Sequence, residues 1–536
     1  MQFGKLTTQQ REGGRPASAG RSHANEIALA ALCTLLFLTF LDNTIVSVGL
    51  GAIQTDLQAG VTQLQWVVGA YALTFASIML ACGMIGDKVG RKKVMMAGAS
   101  VFCAGSVLCA LAPNADTLIA GRAIMGIGAA ASEPGTLSVL RHIYPGERDR
   151  ARAVGVWAAV SGLALALGPV IGGALVGAWS WRGIFWFNLA FGLAALVIAT
   201  IVVPESADPH AARVDTTGTV LGTGALAALV FGIIDAETSS FGATVPVILF
   251  CVAAVCAVAF VWWERRAAHP LLDLRYFRLP QFTVPNVVAF CSYFATFAIF
   301  FFTALYLNEV VGASGYRIAL VFLPMTVLMI LASIFTGYWT GAAGPRWPIT
   351  IGCVLFAAGL FVTNALIKQH PDYTALALAL ALAGIGIGIT VVPITTAVLG
   401  SVPPERSGMA ASAANTSREI GAVTGIAVLG AIVFAQLSSQ LPARIEQLNI
   451  PASDKAGILP FVPTIIHVIE TGQTGLASNY ASLGSIVRDV LDAAYSAFGD
   501  GLHVALYLAA ALVLLAAVLA AAFLRGTEAT IPPEPR

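Results

Sequence analysis

The chain has 536 residues, of which 57% are hydrophobic and 11% charged, and a formal net charge of +1. Soluble domains carry about 25% charged residues, so a soluble core is excluded and a membrane protein is expected, in agreement with the mean hydropathy of +0.82. The near-neutral balance gives no reason to expect nucleic acid as a partner. The eight cysteines all lie inside apolar runs without metal-ligand spacing, so they read as small hydrophobes, and neither a disulfide framework nor a metal site is expected.

Residues 1–26 are polar, carry Lys5, Arg11, Arg15 and Arg21, and predict a disordered cytosolic tail. The apolar stretch from Ile27 is about long enough to span, so it is expected to be retained and not cleaved as a signal peptide. Runs of the roughly 20 residues needed to cross a hydrocarbon core then recur near 27–50, 64–85, 94–112, 116–140, 151–177 and 183–203, an N-terminal bundle of six spans over 27–203. A linker, 204–281, holds two further spans near 216–235 and 243–263. A second bundle over 282–525 follows, with spans near 282–307, 317–340, 347–368, 373–400, 409–436 and 500–524. The fold class is therefore all-α and polytopic, with fourteen transmembrane helices as two six-helix bundles plus two extra central spans. No spanning helix fits 437–498, which is expected to be a long outer loop, and 526–536 is expected to be a second cytosolic tail.

Basic residues fall in alternate connections, among them Lys88 to Lys93, Arg141 to Arg152, Arg265 to Arg278, Arg346 and Arg406. The positive-inside rule makes those connections, and both termini, cytoplasmic. One of them reads GMIGDKVGRKK, Gly83 to Lys93. Gly83, Gly86 and Gly90 allow close backbone approach there, and Asp87 stands beside Arg91, Lys92 and Lys93, so the turn is expected to act as a conformational latch between two helices. A second copy, GYWTGAAGPR, occupies Gly337 to Arg346 and has Gly341 where Asp87 stands. Repeated halves around a central site are what alternating access requires.

Ionisable side chains inside apolar spans are costly and are functional suspects by default. Asp42 lies about 22 Å and Arg122 about 20 Å from the inner face, at 1.5 Å per residue on helices of opposite direction. Their depths match, so they are expected to pair. Either Asp42 carries a coupled proton that Arg122 tunes, or the two form a permanent salt bridge. Glu133 lies on the Arg122 face three turns on, beside Pro134. It reads as a second proton site, a recognition group for cationic cargo, or a side chain that reaches cytosolic water. Arg418, Glu419 and His503 read as interfacial. On the fifth span, Gly168, Gly172 and Gly173 remove side chains around Pro169, which suits a close, sliding helix contact.

The Gly83 to Lys92 turn meets the pattern G-x-x-x-D-[RK]-x-G-R-[RK] at every fixed position, and in this it resembles the major facilitator superfamily. GLALALGPVIGG, LDNTIV, QWVVGAYAL, GRAIMGIGAA, WRGIFWFN, HPLLDLRYF and NTSREIGAVTGIA resemble signatures of its fourteen-spanning drug and proton antiporter branch. Ser47 and Gly51, where the branch usually has Asn and Pro, and Glu133, where an apolar residue is common, depart from it. The resemblance implies proton-coupled efflux of drugs or other amphiphilic small molecules across the cytoplasmic membrane, by a protein that works as a monomer among membrane lipids. A lipid or metabolite exporter on the same fold stays open, while import is opposed by the fifth-span glycines. Aromatic candidates for the cargo walls are Trp66, Tyr71, Trp157, Tyr293 and Phe297, since such rings attract cations. Phe185 and Asn188 are further candidates. The chain has no G-x-x-x-x-G-K-[ST] loop, which leaves ion gradients as the power source. Its seven histidines are scattered, so no enzyme activity and no cofactor are expected.

Overall fold

The computed structural model describes residues 17–144, 147–206, 215–239, 243–267, 272–368, 371–403, 407–448 and 485–524, with a few isolated positions besides, and among them all regular structure is helical. The first half comprises α1 (Ala17–Ile45), a 3₁₀ turn (Val46–Gly49), α2 (Leu50–Leu57), α3 (Val61–Val89), α4 (Arg91–Ala110), α5 (Ala115–Ile143), α6 (Glu147–Ala178) and α7 (Arg182–Val202). Next come α8 (Thr216–Ser239) and α9 (Thr244–Glu264). The second half comprises α10 (Pro280–Glu309), α11 (Gly315–Ala343), α12 (Arg346–Leu366), α13 (Tyr373–Gly400), α14 (Ser407–Gln447) and α15 (Ser485–Phe523).

Among the described residues, 12 helical stretches are long and apolar enough to cross a membrane, the first of them built from α1, the 3₁₀ turn and α2. The two long helices outside that count are α3 and α5, of 29 residues each, or about 44 Å at 1.5 Å per residue. Local signals set the ends. Asn114 accepts from the Thr117 amide at the start of α5, Asp372 caps α13 in the same way, and Pro280 opens α10, each satisfying or removing an orphan amide. Gly90 (φ 126°) ends α3 and Gly344 (φ 74°) ends α11. Both copies of the basic turn thus depend on a backbone conformation that side chains disfavour.

The two halves repeat one packing scheme. α1 lies on α6 and α7, α3 and α4 lie on α5, and α4 lies on α7. The second half repeats each contact: α10 on α14 and α15, α11 and α12 on α13, α12 on α15. The halves meet where α6 faces α11 and where α3 faces α14. α8 and α9 pair with one another, and α8 leans on α3 and α14. Among the spans of the described residues α10 is the most enclosed, 89% buried over its apolar window against 11% for α9, so its Tyr293 and Phe297 pack within the bundle and do not face lipid.

Two expectations change. α1 starts at Ala17, so 17–26 is helix and not tail; 1–16 and the expected tail 526–536 lie outside the described residues. Helix also replaces both ends of the expected loop 437–498. α14 continues to Gln447, and α15 begins at Ser485. Leu437, Leu441 and Ile445 form a stripe at four-residue spacing that buries against Val490, Ala494 and Ala497, and Arg444 pairs with Asp500. Two amphipathic segments cover each other, which makes helix preferable to coil. Most of 449–484 lies outside the described residues.

Candidate functional site

Asp42 and Arg122 are both 0% exposed, and Arg122 NH1 pairs with Asp42 Oδ2. The other carboxylate oxygen accepts from Asn188 Nδ2 at 2.6 Å. Arg122 Nε donates to the Val67 carbonyl at 2.8 Å, and its guanidinium lies 4.5 Å from the centre of the Tyr71 ring. Tyr71 in turn donates from its hydroxyl to the Thr39 carbonyl at 3.0 Å. The sequence-matched pair therefore meets inside the first half, held by α1, α3, α5 and α7. Asn188, expected only as a wall residue, is a direct partner of Asp42. One turn beyond Asp42 the helix tightens into the 3₁₀ segment Val46–Gly49, a form that often marks a hinge when it interrupts a helix.

A second polar network joins the halves. Asn43 donates from Nδ2 to Glu419 Oε1 at 3.3 Å, and Asn415 donates from Nδ2 to Glu133 Oε1 at 2.5 Å. Arg418 NH1 donates to Asn415 Oδ1 at 3.0 Å, and its NH2 to Thr395 Oγ1. Its guanidinium lies 5.5 Å from the centre of the Tyr293 ring. Glu133, Arg418 and Glu419 are no more than 2% exposed, so the interfacial reading of Arg418 and Glu419, and the solvent reading of Glu133, do not hold. α14 begins at Ser407, which puts Arg418 about 16 Å along the helix, a depth that its polar neighbours Asn415, Thr416, Ser417 and Glu419 disguise. Asn415, Arg418 and Glu419 fall at i, i+3 and i+4 and share one helical face. That spacing was the available signal.

Among the aromatic candidates, Trp157 is buried and donates from Nε1 to Thr136 Oγ1 at 2.9 Å, and Tyr293 stacks on Phe297 with ring centres 6.0 Å apart. Tyr71, Trp157, Tyr293 and Phe297 all lie in the interior. Trp66 does not join them. Its ring lies tilted against that of Phe231 of α8, centres 5.0 Å apart, where the extra helices meet the first half. A small pocket of about 10 Å³, lined by Leu137, Trp157, Thr395, Val398, Ala414 and Asn415, lies between the halves toward the end that carries the basic connections, with room for about one water molecule.

At the opposite end the halves touch. A methyl carbon on Gly173 would lie 2.6 Å from Ala319 Cβ, and one on Gly177 would lie 2.6 Å from the Tyr316 ring. Gly168 and Gly172 face α1 instead, where an added carbon would lie 1.9 Å from Thr44 Oγ1 and 2.4 Å from the Ile45 carbonyl oxygen. Pro169 lies inside α6 between these contacts and removes one backbone hydrogen bond there. The fifth-span glycines thus press on the segment of α1 beside Asp42 and on the second half together. In the basic turn, the Gly83 position faces Pro134 of α5 and Ser412 of α14. Glu205 accepts from the Lys92 amide at 3.1 Å, and Arg91 donates from its amide to the Ser206 carbonyl at 2.9 Å. The connection after α7 therefore caps the start of α4. Asp87 lies on the last turn of α3, and its side chain is outside the described residues.

The Major Facilitator Superfamily model matches residues 32–426. Multidrug resistance protein Stp of Mycobacterium tuberculosis is 32% identical over 498 residues, covering 92% of this chain and 89% of its own length. Multidrug efflux pump LfrA of Mycolicibacterium smegmatis is 29% identical, covering 96% of this chain and 99% of its own. In fold the chain is similar to a bacterial homolog of the human lysosomal transporter Spinster, solved in an inward-facing and occupied conformation, with a TM-score of 0.62 at 18% identity over 95% of this chain and 97% of that one. The chain belongs to the Major Facilitator Superfamily, and is a multi-pass membrane transporter and not an enzyme.

Proposed function

We propose that this protein exports drugs and other amphiphilic small molecules across the cytoplasmic membrane in exchange for protons, by alternating access. The observation that carries the reading is the sealed Asp42–Arg122 pair. With Asp42 ionised the pair is neutral; a proton on Asp42 frees the arginine's charge, a change able to bias a two-state equilibrium. Asn43, the next residue on α1, holds Glu419 of the second half, so a shift of α1 at Asp42 is transmitted to the contact between halves. The names of the relatives, a multidrug resistance protein and a multidrug efflux pump, support drugs as cargo.

In this reading the basic connections and both termini face the cytoplasm. The halves part beside the small pocket at Asn415 to admit cargo from the cytosolic side, while the Gly173–Ala319 contact closes the outer side. The bundles 27–203 and 282–525 rock against each other, with the linker helices of 204–281 at their flank in contact with lipid, and one chain suffices. A membrane potential supplies about 2.3 kcal/mol per charge per 100 mV, and each pH unit adds about 1.4 kcal/mol per proton.

The test is transport in proteoliposomes under an imposed pH gradient, with lipophilic cations, neutral drugs and labelled lipids as candidate cargo. Cargo accumulation driven by the gradient and abolished by a protonophore is expected. Accumulation of none of these classes, or of labelled lipid alone, would overturn the drug-efflux reading.

A further inference from the structure

The two copies of the basic turn differ in their negative charges. In the first, Glu205 accepts from the Lys92 amide at the start of α4, and the Lys92 ammonium donates to the Thr200 carbonyl of α7 at 2.8 Å. In the second, Arg346 stands in the place of Lys92 and donates from NH2 to the Ala521 carbonyl of α15 at 2.5 Å. The negative charges are missing there. Gly341 stands where Asp87 stands, and no side chain caps the start of α12. Arg346 pairs with no carboxylate among the described residues, and its Nε is buried without a hydrogen-bond partner. Thr340 Oγ1, on the last turn of α11, is buried and unpartnered as well. A guanidinium and a helix N-terminus thus put positive charge in one place with nothing to balance it. The surroundings suit a membrane interface. Trp347 is 51% exposed, its ring centre 5.2 Å from the Arg346 guanidinium, and Tyr338 is 80% exposed, as rings at headgroup depth are. Gly337 and Gly341 of α11 face open space, and the exposed Ile334 shares their side of the helix. The glycines leave a furrow of bare backbone that runs toward the turn.

We propose that this turn binds an anionic phospholipid of the cytosolic leaflet, with the phosphate on Arg346 and the uncapped start of α12 and one acyl chain along the Gly337–Gly341 furrow. The lipid supplies the negative charge that the second copy lacks, and takes the place in the second half that Glu205 fills in the first. A free phosphate could meet the same guanidinium, but the exposed rings and the furrow offer apolar surface to a chain and nothing to a soluble anion. A zwitterionic phospholipid brings a cation for which the site holds no carboxylate. Preference therefore follows the net charge of the headgroup. The site lies on the outside of the second half, apart from Asp42 and Arg122, and takes no part in proton or cargo movement. It shares with the efflux reading only the orientation of the basic turns.

The test uses the full-length protein in nanodiscs that contain either phosphatidylglycerol or phosphatidylcholine with brominated acyl chains, at equal mole fraction in the same carrier lipid. Bromine quenches nearby indoles, and the difference between wild type and Trp347→Phe isolates the quenching of Trp347. Phosphatidylglycerol is expected to be enriched about fivefold over phosphatidylcholine at Trp347, the preference that one basic side chain gives at an anionic surface. Arg346→Gln should abolish the enrichment. Arg346→Lys should keep most of it, which separates loss of charge from misfolding. Inorganic phosphate should leave the enrichment as chloride of the same ionic strength does. Equal quenching by the two lipids in the wild type, enrichment that survives Arg346→Gln, or its loss in Arg346→Lys would overturn the site, and displacement by inorganic phosphate would make the ligand a free anion and not a lipid. No arm requires transport or a defined orientation, so the efflux reading fails on a different result, absent gradient-driven transport in proteoliposomes.

Discussion

Asn43 of α1 donates to Glu419 of α14 at 3.3 Å, while its neighbour Asp42 pairs with Arg122 inside the first half. Two adjacent residues therefore serve two networks, one within a half and one between halves. A proton that changes the set of α1 at Asp42 changes the grip of Asn43 on the other half. Asn43→Ala removes that link and leaves Glu419 buried with one fewer donor, at a cost of about 1–3 kcal/mol. Transport should persist with a lower ratio of protons moved to cargo moved. An unchanged ratio in the variant would show that Asn43 is packing alone.

The fifth-span glycines give a steric prediction. Gly168→Val and Gly172→Val place bulk against Thr44 and the Ile45 carbonyl, and Gly173→Val places it against Ala319. Overpacking costs about 1–3 kcal/mol. Each variant should reach the membrane yet fail to export or leak protons, as read by acidification of proteoliposomes without cargo. Normal export by Gly173→Val would mean that the halves do not close through this contact.

The basic turn is tested at Gly90, whose φ of 126° is strained for any side chain by about 1–3 kcal/mol, and where an added carbon would lie 2.9 Å from Glu205 Oε1. Gly90→Ala and Asp87→Asn should slow transport and alter the balance between inward-open and outward-open states, measured by spin-label distances across the two ends. Wild-type rates and distances in both would leave the turn as a topology signal.

Orientation is tested with single cysteines in a background lacking the eight native ones. A cysteine at the exposed Ser439 should react with an impermeant reagent from outside the cell, and one at the exposed Arg266 only after the membrane is opened. The reverse pattern inverts the map.

Much of this arrangement is legible in the sequence where one signal dominates. Hydropathy marks the spans, and charges in two opposed helices, Asp42 and Arg122, can be matched by depth at a fixed rise per residue. Glu419 was not legible in this way, because its partner Asn43 is uncharged and lies in the other half, and depth arithmetic pairs charges only. Asn188 was missed as a partner for a similar reason, since an amide in an apolar helix costs less than a charge and signals less. The extension of α14 and α15 escaped hydropathy because Glu446, Arg488 and Asp489 lower the mean there. The stripe Leu437, Leu441, Ile445 carries the helical period instead, and only a partner helix shows that it is buried. Trp66 reads like the other aromatic residues, and its contact with Phe231 depends on where α8 docks.

The central claim is that Asp42 carries the coupled proton. Asp42→Asn holds the position permanently in its uncharged form, and Arg122→Ala leaves Asp42 without its counter-charge, a break that typically costs about 3–5 kcal/mol when the pair is buried. Arg122→Ala should therefore lower stability and shift the pH dependence of transport without changing cargo selectivity. The most direct measurement is cargo-induced proton movement in proteoliposomes containing Asp42→Asn. Downhill cargo exchange with no accumulation against a gradient and no cargo-coupled proton movement is expected. Exchange at the wild-type ratio would contradict it and move the coupling site to Glu133 and Glu419.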